Sequence, residues 1–132
     1  MSISRDAFMA WLGRYIAAWR SQDPAGIGDL FSADCRYRYR AGTRVVSGRE
    51  AIVEAWLADD MRDAWEAQYE PLAIDGEVHV SRGRTRYFSA GGSLWHEYSN
   101  IFVCRFDSQG RCSEFTEWWM RTYDADAGGA TP

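Results

Sequence analysis

The sequence predicts an α+β fold in which helices cover one face of a curved antiparallel sheet. Helical periodicity is confined to the first half of the chain, and the second half is a series of long strands joined by short turns. A sheet that curls around a helical layer encloses a cavity. The order of elements therefore predicts a pocket between the first helix and the strands. We expect one domain over residues 1–123 and a flexible tail over residues 124–132.

The first two predicted helices follow each other closely. The first covers Arg5–Ser21, and Ser4 is its expected N-cap. Its apolar residues recur at helical spacing and form one stripe: Phe8, Trp11, Leu12, Tyr15, Ile16 and Trp19. Asp23 then caps a short helix over Pro24–Phe31, since a proline at the first helical position loses no hydrogen bond.

A strand and a third helix complete the predicted first half. The strand lies near Cys35–Arg40, with Tyr37 and Tyr39 pointing inward and the arginines between them outward. Ser47 followed by Glu50 three residues later is the pattern of a capping box, which opens a helix that ends near Met61.

The second half predicts four strands with turns between them. The first two strands are Gln68–Ile74 and Val78–Phe88, joined by the turn Asp75-Gly76. After a turn at Ala90-Gly91-Gly92, the segment Leu94–Met120 forms a hairpin. On the second strand, Arg82, Arg84 and Arg86 are expected on the outer surface near Glu97 or Glu114, as a solvated or dimer-contact face.

The hairpin Leu94–Met120 is the most informative part of the chain. If its four-residue turn pairs Phe106 with Arg111, three further pairs share one face of the sheet: Asn100–Glu117, Phe102–Phe115 and Tyr98–Trp119. This face is an aromatic wall that carries one amide and one carboxylate. A carboxylate among rings is either costly or functional. The opposite face carries Ile101 and Val103, so both faces are expected to be buried, one against a pocket and one against a partner.

Composition limits the classes of partner. Aromatic residues make up 15% of the chain and include seven tryptophans, which suit the lining of a cavity. The net charge of −4 argues against a nucleic-acid partner. No apolar run is long enough for a membrane span, and the N-terminus begins an amphipathic helix rather than a signal peptide. Three cysteines without metal-type spacing predict buried free thiols, no metal site and a cytoplasmic location.

The order and spacing of several segments resemble the SnoaL-like and nuclear-transport-factor-two-like superfamily. Residues 14–19, 23–27 and 30–35 resemble its opening, residues 47–52 its third-helix entry and residues 105–111 its final hairpin. The resemblance covers nearly the whole chain. It implies a cone-shaped α+β barrel, with three N-terminal helices packed on a curved, mixed but mostly antiparallel sheet that encloses a pocket. Because this fold carries many chemistries and many plain binders, it implies no single activity.

Ketosteroid isomerase is the enzyme of this superfamily that allows a residue-by-residue comparison. It uses a tyrosine on the first helix, a carboxylate base on the first strand and a protonated carboxyl on a late strand. Tyr15 falls at the tyrosine position, but the base position falls near Tyr39 and the late carboxyl near Phe102. Two of the three groups are missing, which argues against steroid isomerisation by that mechanism. Trp56 falls at a pocket aromatic and Glu117 at a pocket-facing position of the last strand.

The candidate catalytic residues are Glu117, Tyr15 and His96. Glu117 is either a general acid or base with a raised pKa or a structural partner of Asn100 or an arginine. Tyr15 is either a donor to a ligand oxygen or a core tyrosine. His96 is either a proton shuttle at the pocket mouth or a surface group, and His79 is more readily a surface group.

The candidate ligand-binding residues are mostly aromatic: Trp19, Tyr39, Trp56, Tyr98, Asn100, Phe102, Phe115 and Trp119. The sequence thus predicts a small-molecule-binding protein for a compact apolar or aromatic compound. If it is an enzyme, it performs acid–base isomerisation, cyclisation, dehydration or hydration without a cofactor. The alternative is a non-catalytic binder or interaction module. Either way, a homodimer through the outer sheet face is expected.

Overall fold

A computed structural model describes residues 1–40, 42–59 and 64–130 of the chain. Its helices are α1 Arg5–Ser21, α2 Pro24–Gly28 and α3 Arg49–Ala58. Its strands are β1 Phe31–Arg38, β2 Val46–Ser47, β3 Ala64–Asp75, β4 Val78–Phe88, β5 Leu94–Phe106, β6 Cys112–Asp124 and β7 Gly129–Ala130. None of the described helices is long and apolar enough to cross a membrane.

The strands form one mixed sheet in the order β2-β1-β6-β5-β4-β3, and β7 pairs with the end of β6. β1 and β6 are parallel, and every other pair is antiparallel. The path of described strands does not close on itself, since β2 and β3 are its two ends. The predicted α+β class, with three helices on a mostly antiparallel sheet, is confirmed.

The core lies between α1 and the inner face of the sheet. Trp11 is fully buried, and its ring meets Phe106 edge-on at 5.3 Å between centroids. The indole nitrogen of Trp11 donates to the carbonyl of Leu30 at 3.0 Å, so the ring is fixed by a hydrogen bond as well as by packing. The predicted stripe on α1 splits by depth: its first four members are buried, whereas Ile16 and Trp19 are half-buried at the cavity.

α1 begins and ends where the sequence predicts. The Ser4 hydroxyl accepts from the Ala7 amide at 3.1 Å, and Gln22 adopts a left-handed conformation at the C-cap. α2 is shorter than predicted, ending at Gly28 rather than Phe31. Two of its five residues are glycines, which are weak helix formers, and Phe31 instead pairs with Cys112 in the sheet.

The predicted capping box of α3 is wrong. Ser47 belongs to β2 and pairs with Arg36, while Gly48 is the N-cap at φ 92° without a side-chain cap. The amide of Gly48 donates to the carbonyl of Cys35 at 2.8 Å, so the sheet draws this segment away from the capping conformation. α3 ends at Ala58, and the predicted end near Met61 lies outside the described residues.

β4 has the predicted limits, whereas β1 and β3 differ from prediction. β1 starts four residues earlier and ends two residues earlier than expected, and β3 extends to both sides of Gln68–Ile74. Residues 125–130, predicted as part of a flexible tail, form a 3₁₀ turn and β7, which pairs with Tyr123 and Asp124.

The register of the β5–β6 hairpin is shifted by two residues from the prediction. Asp107, not Phe106, closes the turn with Arg111, its amide donating to the Arg111 carbonyl at 2.8 Å. A bulge between Arg105 and Phe106 adds the second residue, and Glu117 therefore lies opposite Phe102. A shift of two restores every side chain to its predicted face, because strand faces alternate with a period of two.

The prediction for His79 is wrong, and the prediction for the three cysteines is confirmed. His79 is completely buried rather than on the surface, with Nε2 accepting from the Ile3 amide at 3.0 Å. The cysteines are free and buried, as predicted. The hydrogen bond with Cys112 is the largest cause of a raised pKa at Cys35, and burial is the second. The thiol of Cys35 therefore stays protonated.

Candidate functional site

A cavity of about 810 Å³ opens between the helices and the inner face of the sheet. α1 and α3 supply one wall, and β1 and β3 to β6 supply the other because alternate residues of these strands point inward. Nine of the predicted site residues line it: Tyr15, Trp19, Tyr39, Trp56, His96, Tyr98, Asn100, Glu117 and Trp119. The sequence pattern therefore brings most of the candidate site into one place.

Phe102 and Phe115, also predicted to bind a ligand, do not line the cavity. Each is 1% exposed and packs beneath Tyr15, whose ring stacks on Phe115 at 5.8 Å between centroids. They form the layer that supports the tyrosine. Periodicity placed them on the correct face of the sheet but not at the correct depth, since depth depends on where α1 crosses the strands.

Several lining residues were not predicted to belong to the site. Thr85 and Tyr87 lie on the inner face of β4, and Tyr69 faces them from β3. Thr85 and Tyr87 could have been predicted from the sequence, because residues that alternate with the outward arginines of β4 must face inward. Trp65 and Trp95 also line the cavity, but their positions depend on how the strands curve.

A chain of hydrogen bonds runs across four strands of the inner face, β3 to β6, and ends at Glu117. Thr85 donates its single hydroxyl hydrogen to Asn100 Oδ1 at 3.1 Å. The Tyr69 hydroxyl lies 2.9 Å from the Thr85 hydroxyl and is therefore the donor in that contact. Asn100 Nδ2 then donates to Glu117 Oε2 at 2.5 Å, diagonally across the β5–β6 pair. The chain fixes the orientation of the Asn100 amide, with its nitrogen toward the carboxylate.

Burial raises the pKa of Glu117 from its ordinary value to about 7, and the hydrogen bond from Asn100 opposes that rise only in part. The side chain is partly buried, and its walls are mostly rings. Near neutral pH, both the protonated and the ionised form are therefore populated, which is the condition for a group that gives and takes protons.

Three tyrosines surround the carboxyl. Burial raises the pKa of Tyr15, Tyr37 and Tyr69, and the negative charge of Glu117 raises each of them further. All three hydroxyls consequently stay protonated at neutral pH and are hydrogen-bond donors in a largely apolar site. Tyr37 was predicted to face inward, and it is buried against Phe115 in a stacked pair with centroids 4.7 Å apart.

His96 lies at the outer part of the cavity, far along β5 from Asn100. Its Nε2 is 3.1 Å from Asp124 Oδ1, and its ring stacks on Trp95 at 4.0 Å between centroids. Asp126 completes a group of three with His96 and Asp124, but Trp95 donates to Asp126 and Arg121 pairs with Asp124 at 3.3 Å. Through these contacts, His96, Asp124 and Asp126 hold the residues after β6 against the sheet.

The arginines of β4 point outward, as predicted. Arg86 Nε is 2.7 Å from Glu97 Oε2, and Arg82 Nε is 2.8 Å from Glu70 Oε1. The other expected partner, Glu114, pairs instead with Arg105 at 3.1 Å. The inner face of the same strand is thereby left to uncharged side chains.

Comparison with known proteins agrees with this architecture. The family model described as a SnoaL-like domain matches residues 12–115. A solved structure of an LEH-like epoxide hydrolase from M. tuberculosis is similar, with a TM-score of 0.69, 13% sequence identity, and coverage of 88% of this chain and 84% of that chain. A comparison with curated proteins finds no match. At this identity the likeness in structure concerns the fold, and the family match carries the assignment: the chain belongs to the SnoaL-like domain family.

Proposed function

We propose that this protein is an acid–base enzyme that acts on a compact apolar or aromatic molecule in the cavity. The observation that supports this most is Glu117, a partly buried carboxyl with a pKa of about 7 at the inner end of a ring-lined cavity. Members of the family bind small molecules, which fits a cavity of this size.

Glu117 moves the proton in the proposed reaction. Its ionised form takes a proton from the substrate, and its protonated form returns one to another atom. Asn100 holds the carboxyl in place through the 2.5 Å hydrogen bond. Tyr15 and Tyr37 donate to the substrate oxygen on which charge develops, since both remain protonated.

The reaction class is isomerisation, cyclisation, dehydration or hydration, since each needs one proton removed and one delivered. Hydration includes the opening of an epoxide by water, the chemistry named for the similar structure from M. tuberculosis. A substrate screen should therefore contain small epoxides, cyclic ketones and alkenols. His96 at the cavity mouth is the proposed exchange point between the bound substrate and solvent.

The test is to replace Glu117 with Gln once a substrate has been found. We expect turnover to fall by at least about a hundredfold, as for loss of a general acid or base, while the melting temperature changes by only a few degrees. Glu114→Gln is the matched control, because Glu114 lies on the outer face of the same strand and is exposed. Activity that survives in Glu117→Gln contradicts the proton-transfer role.

A non-catalytic binder is the second candidate, favoured by the same hydrogen bond between Asn100 and Glu117. Here the pair is structural, and Glu117→Ala leaves the buried amide of Asn100 without its partner. A loss of roughly 2 kcal/mol or more in the free energy of unfolding supports the structural role. A neutral or stabilising change supports the catalytic one, because active sites often cost stability.

We propose in addition that two copies associate through the outer face of the sheet. Trp118 is 49% exposed and Met120 is 64% exposed there, beside the half-buried side chains of Ile101 and Val103. An apolar patch of this kind on an antiparallel sheet is typical of an interface. The sequence predicted that both hairpin faces are buried, and in one chain only the inner face is.

A further inference from the structure

Glu117 has unused hydrogen-bonding capacity toward the cavity. Its carboxylate receives the hydrogen bond from Asn100, and no Arg or Lys side chain among the described residues pairs with it. An ionised carboxylate has about four acceptor positions. The donors nearest along the strands are already engaged, since Thr85 donates to Asn100 and Tyr69 to Thr85. A ligand that supplies both a donor and a positive charge would complement the ionised carboxylate.

The aromatic walls suit a cation as well. Ring faces are negative at their centres and attract ammonium or guanidinium groups within about 6 Å. Two lining rings already do so at the rim, where Arg20 lies 4.3 Å from the centre of Trp65 and Arg40 lies 5.2 Å from the centre of Trp119. Deeper in the cavity, the half-buried ring of Trp19 has no such partner among the contacts of the described residues, whereas Tyr15 and Trp56 are buried against other rings.

We propose that the ligand of this cavity is a compact organic ammonium ion with an apolar or aromatic body. Its N–H groups donate to Glu117, and its charge lies against the surrounding rings. Anionic ligands are disfavoured because the carboxylate of Glu117 lines the cavity. The inference rests on the proposed ligand pocket but not on turnover, and it names the chemical class that the pocket takes.

Titration of Glu117 makes the binding depend on pH. The titratable side chains that line the same cavity come from every packed element: Tyr15 of α1, Tyr37 of β1 with Tyr39 after it, Asp59 after α3, Tyr69 of β3, Tyr87 of β4, and His96 and Tyr98 of β5. Tyr15, Tyr37 and Tyr69 stay neutral, and Glu117, with a pKa of about 7, changes its charge near neutral pH. An ammonium ion favours the ionised carboxylate, and its binding lowers the pKa of Glu117 and releases a proton.

Isothermal titration calorimetry with three related probes tests the proposal. Benzylammonium supplies charge and N–H donors, benzyltrimethylammonium supplies charge alone, and benzyl alcohol supplies a neutral donor. At about pH 8 we expect benzylammonium to bind at least about tenfold more tightly than benzyl alcohol, with the quaternary ion between them. At about pH 6 the preference should shrink, and proton release should be measurable in buffers of different ionisation enthalpy.

Glu117→Gln should weaken benzylammonium binding by about tenfold or more and change benzyl alcohol binding by less than about threefold. Glu114→Gln should change neither. If Glu117→Gln does not fold, the pH dependence and proton release of the unmodified protein give the same answer. Equal or tighter binding of benzyl alcohol overturns the ammonium proposal but leaves the pocket of the proposed function intact. Absence of binding by all three probes contradicts both proposals.

Discussion

At the scale of single residues, Glu117 has a measurable thermodynamic signature. Its pKa is about 7 in the folded chain, against roughly 4.3 for an unfolded glutamate. Because the folded state holds the proton more tightly, the unfolded state binds fewer protons between these two values. The free energy of unfolding must then decrease as the pH rises through this window and become level above about pH 7.

Comparing the unmodified protein with Glu117→Gln isolates this effect. We expect the difference in unfolding free energy, unmodified minus variant, to fall by on the order of 2 kcal/mol between about pH 4 and about pH 7. Urea unfolding at several pH values measures it. The same series with Glu114→Gln should show no such fall, because that carboxylate is exposed and paired with Arg105. A difference that does not vary with pH would contradict the raised pKa.

Gly83 is a second residue with a strict role. A Cβ placed there would collide with the ring of Tyr69 and with the backbone carbonyl of Gln68. The ring of Tyr69 occupies the space that a side chain would fill, and this contact holds its hydroxyl 2.9 Å from Thr85. Glycine is thus needed because another side chain closely approaches the strand.

Gly83→Ala should destabilise the protein by roughly 1–3 kcal/mol, as overpacking in a core usually does. It should also disturb the hydrogen-bond chain to Asn100, which ligand binding or turnover would report. Gly91→Ala is a suitable control, since a Cβ there meets nothing within 4 Å. Equal stability of the two variants would show that Tyr69 moves aside without cost.

At the scale of elements, α1 is the best-specified part of the chain. Its start depends on the Ser4 hydroxyl, which accepts from the Ala7 amide at 3.1 Å. Ser4→Ala should lower the free energy of unfolding by about 1 kcal/mol. Ser2→Ala is the control, because Ser2 is exposed and precedes the helix. Thermal melting of the two variants measures the difference. Equal melting temperatures would show that the Ser4 cap does not stabilise α1.

The hairpin shows what element-level patterns determine. Alternation placed Asn100 and Glu117 on the inner face, and the structure confirms that face. Their exact pairing was wrong by two residues, because the turn closes at Asp107 and a bulge lies next to it, between Arg105 and Phe106. Bulges arise from local competition between turn and strand geometry, and residue spacing carries little information about them.

At the scale of the whole molecule, the exposed outer face predicts the oligomeric state. We expect a dimer in sedimentation velocity at micromolar concentration, and Trp118→Glu should convert it to a monomer by placing a charge in the apolar patch. Leu57→Glu is the matched control, since Leu57 is similarly exposed on α3, away from the sheet. If the unmodified protein sediments as a monomer at this concentration, the dimer prediction is wrong.

The sequence alone determined the fold class, the limits of α1 and β4, the inner face of the hairpin and nine of the twenty residues that line the cavity. These follow from periodicity and capping, which act over a few neighbouring residues. The tertiary structure decided what periodicity leaves open. It placed Phe102 and Phe115 beneath the cavity, Tyr69 and Thr85 within it, and His79 in the core. It also set the pKa of Glu117, because desolvation depends on which rings meet around the carboxyl, and only the packing of distant strands and helices determines that.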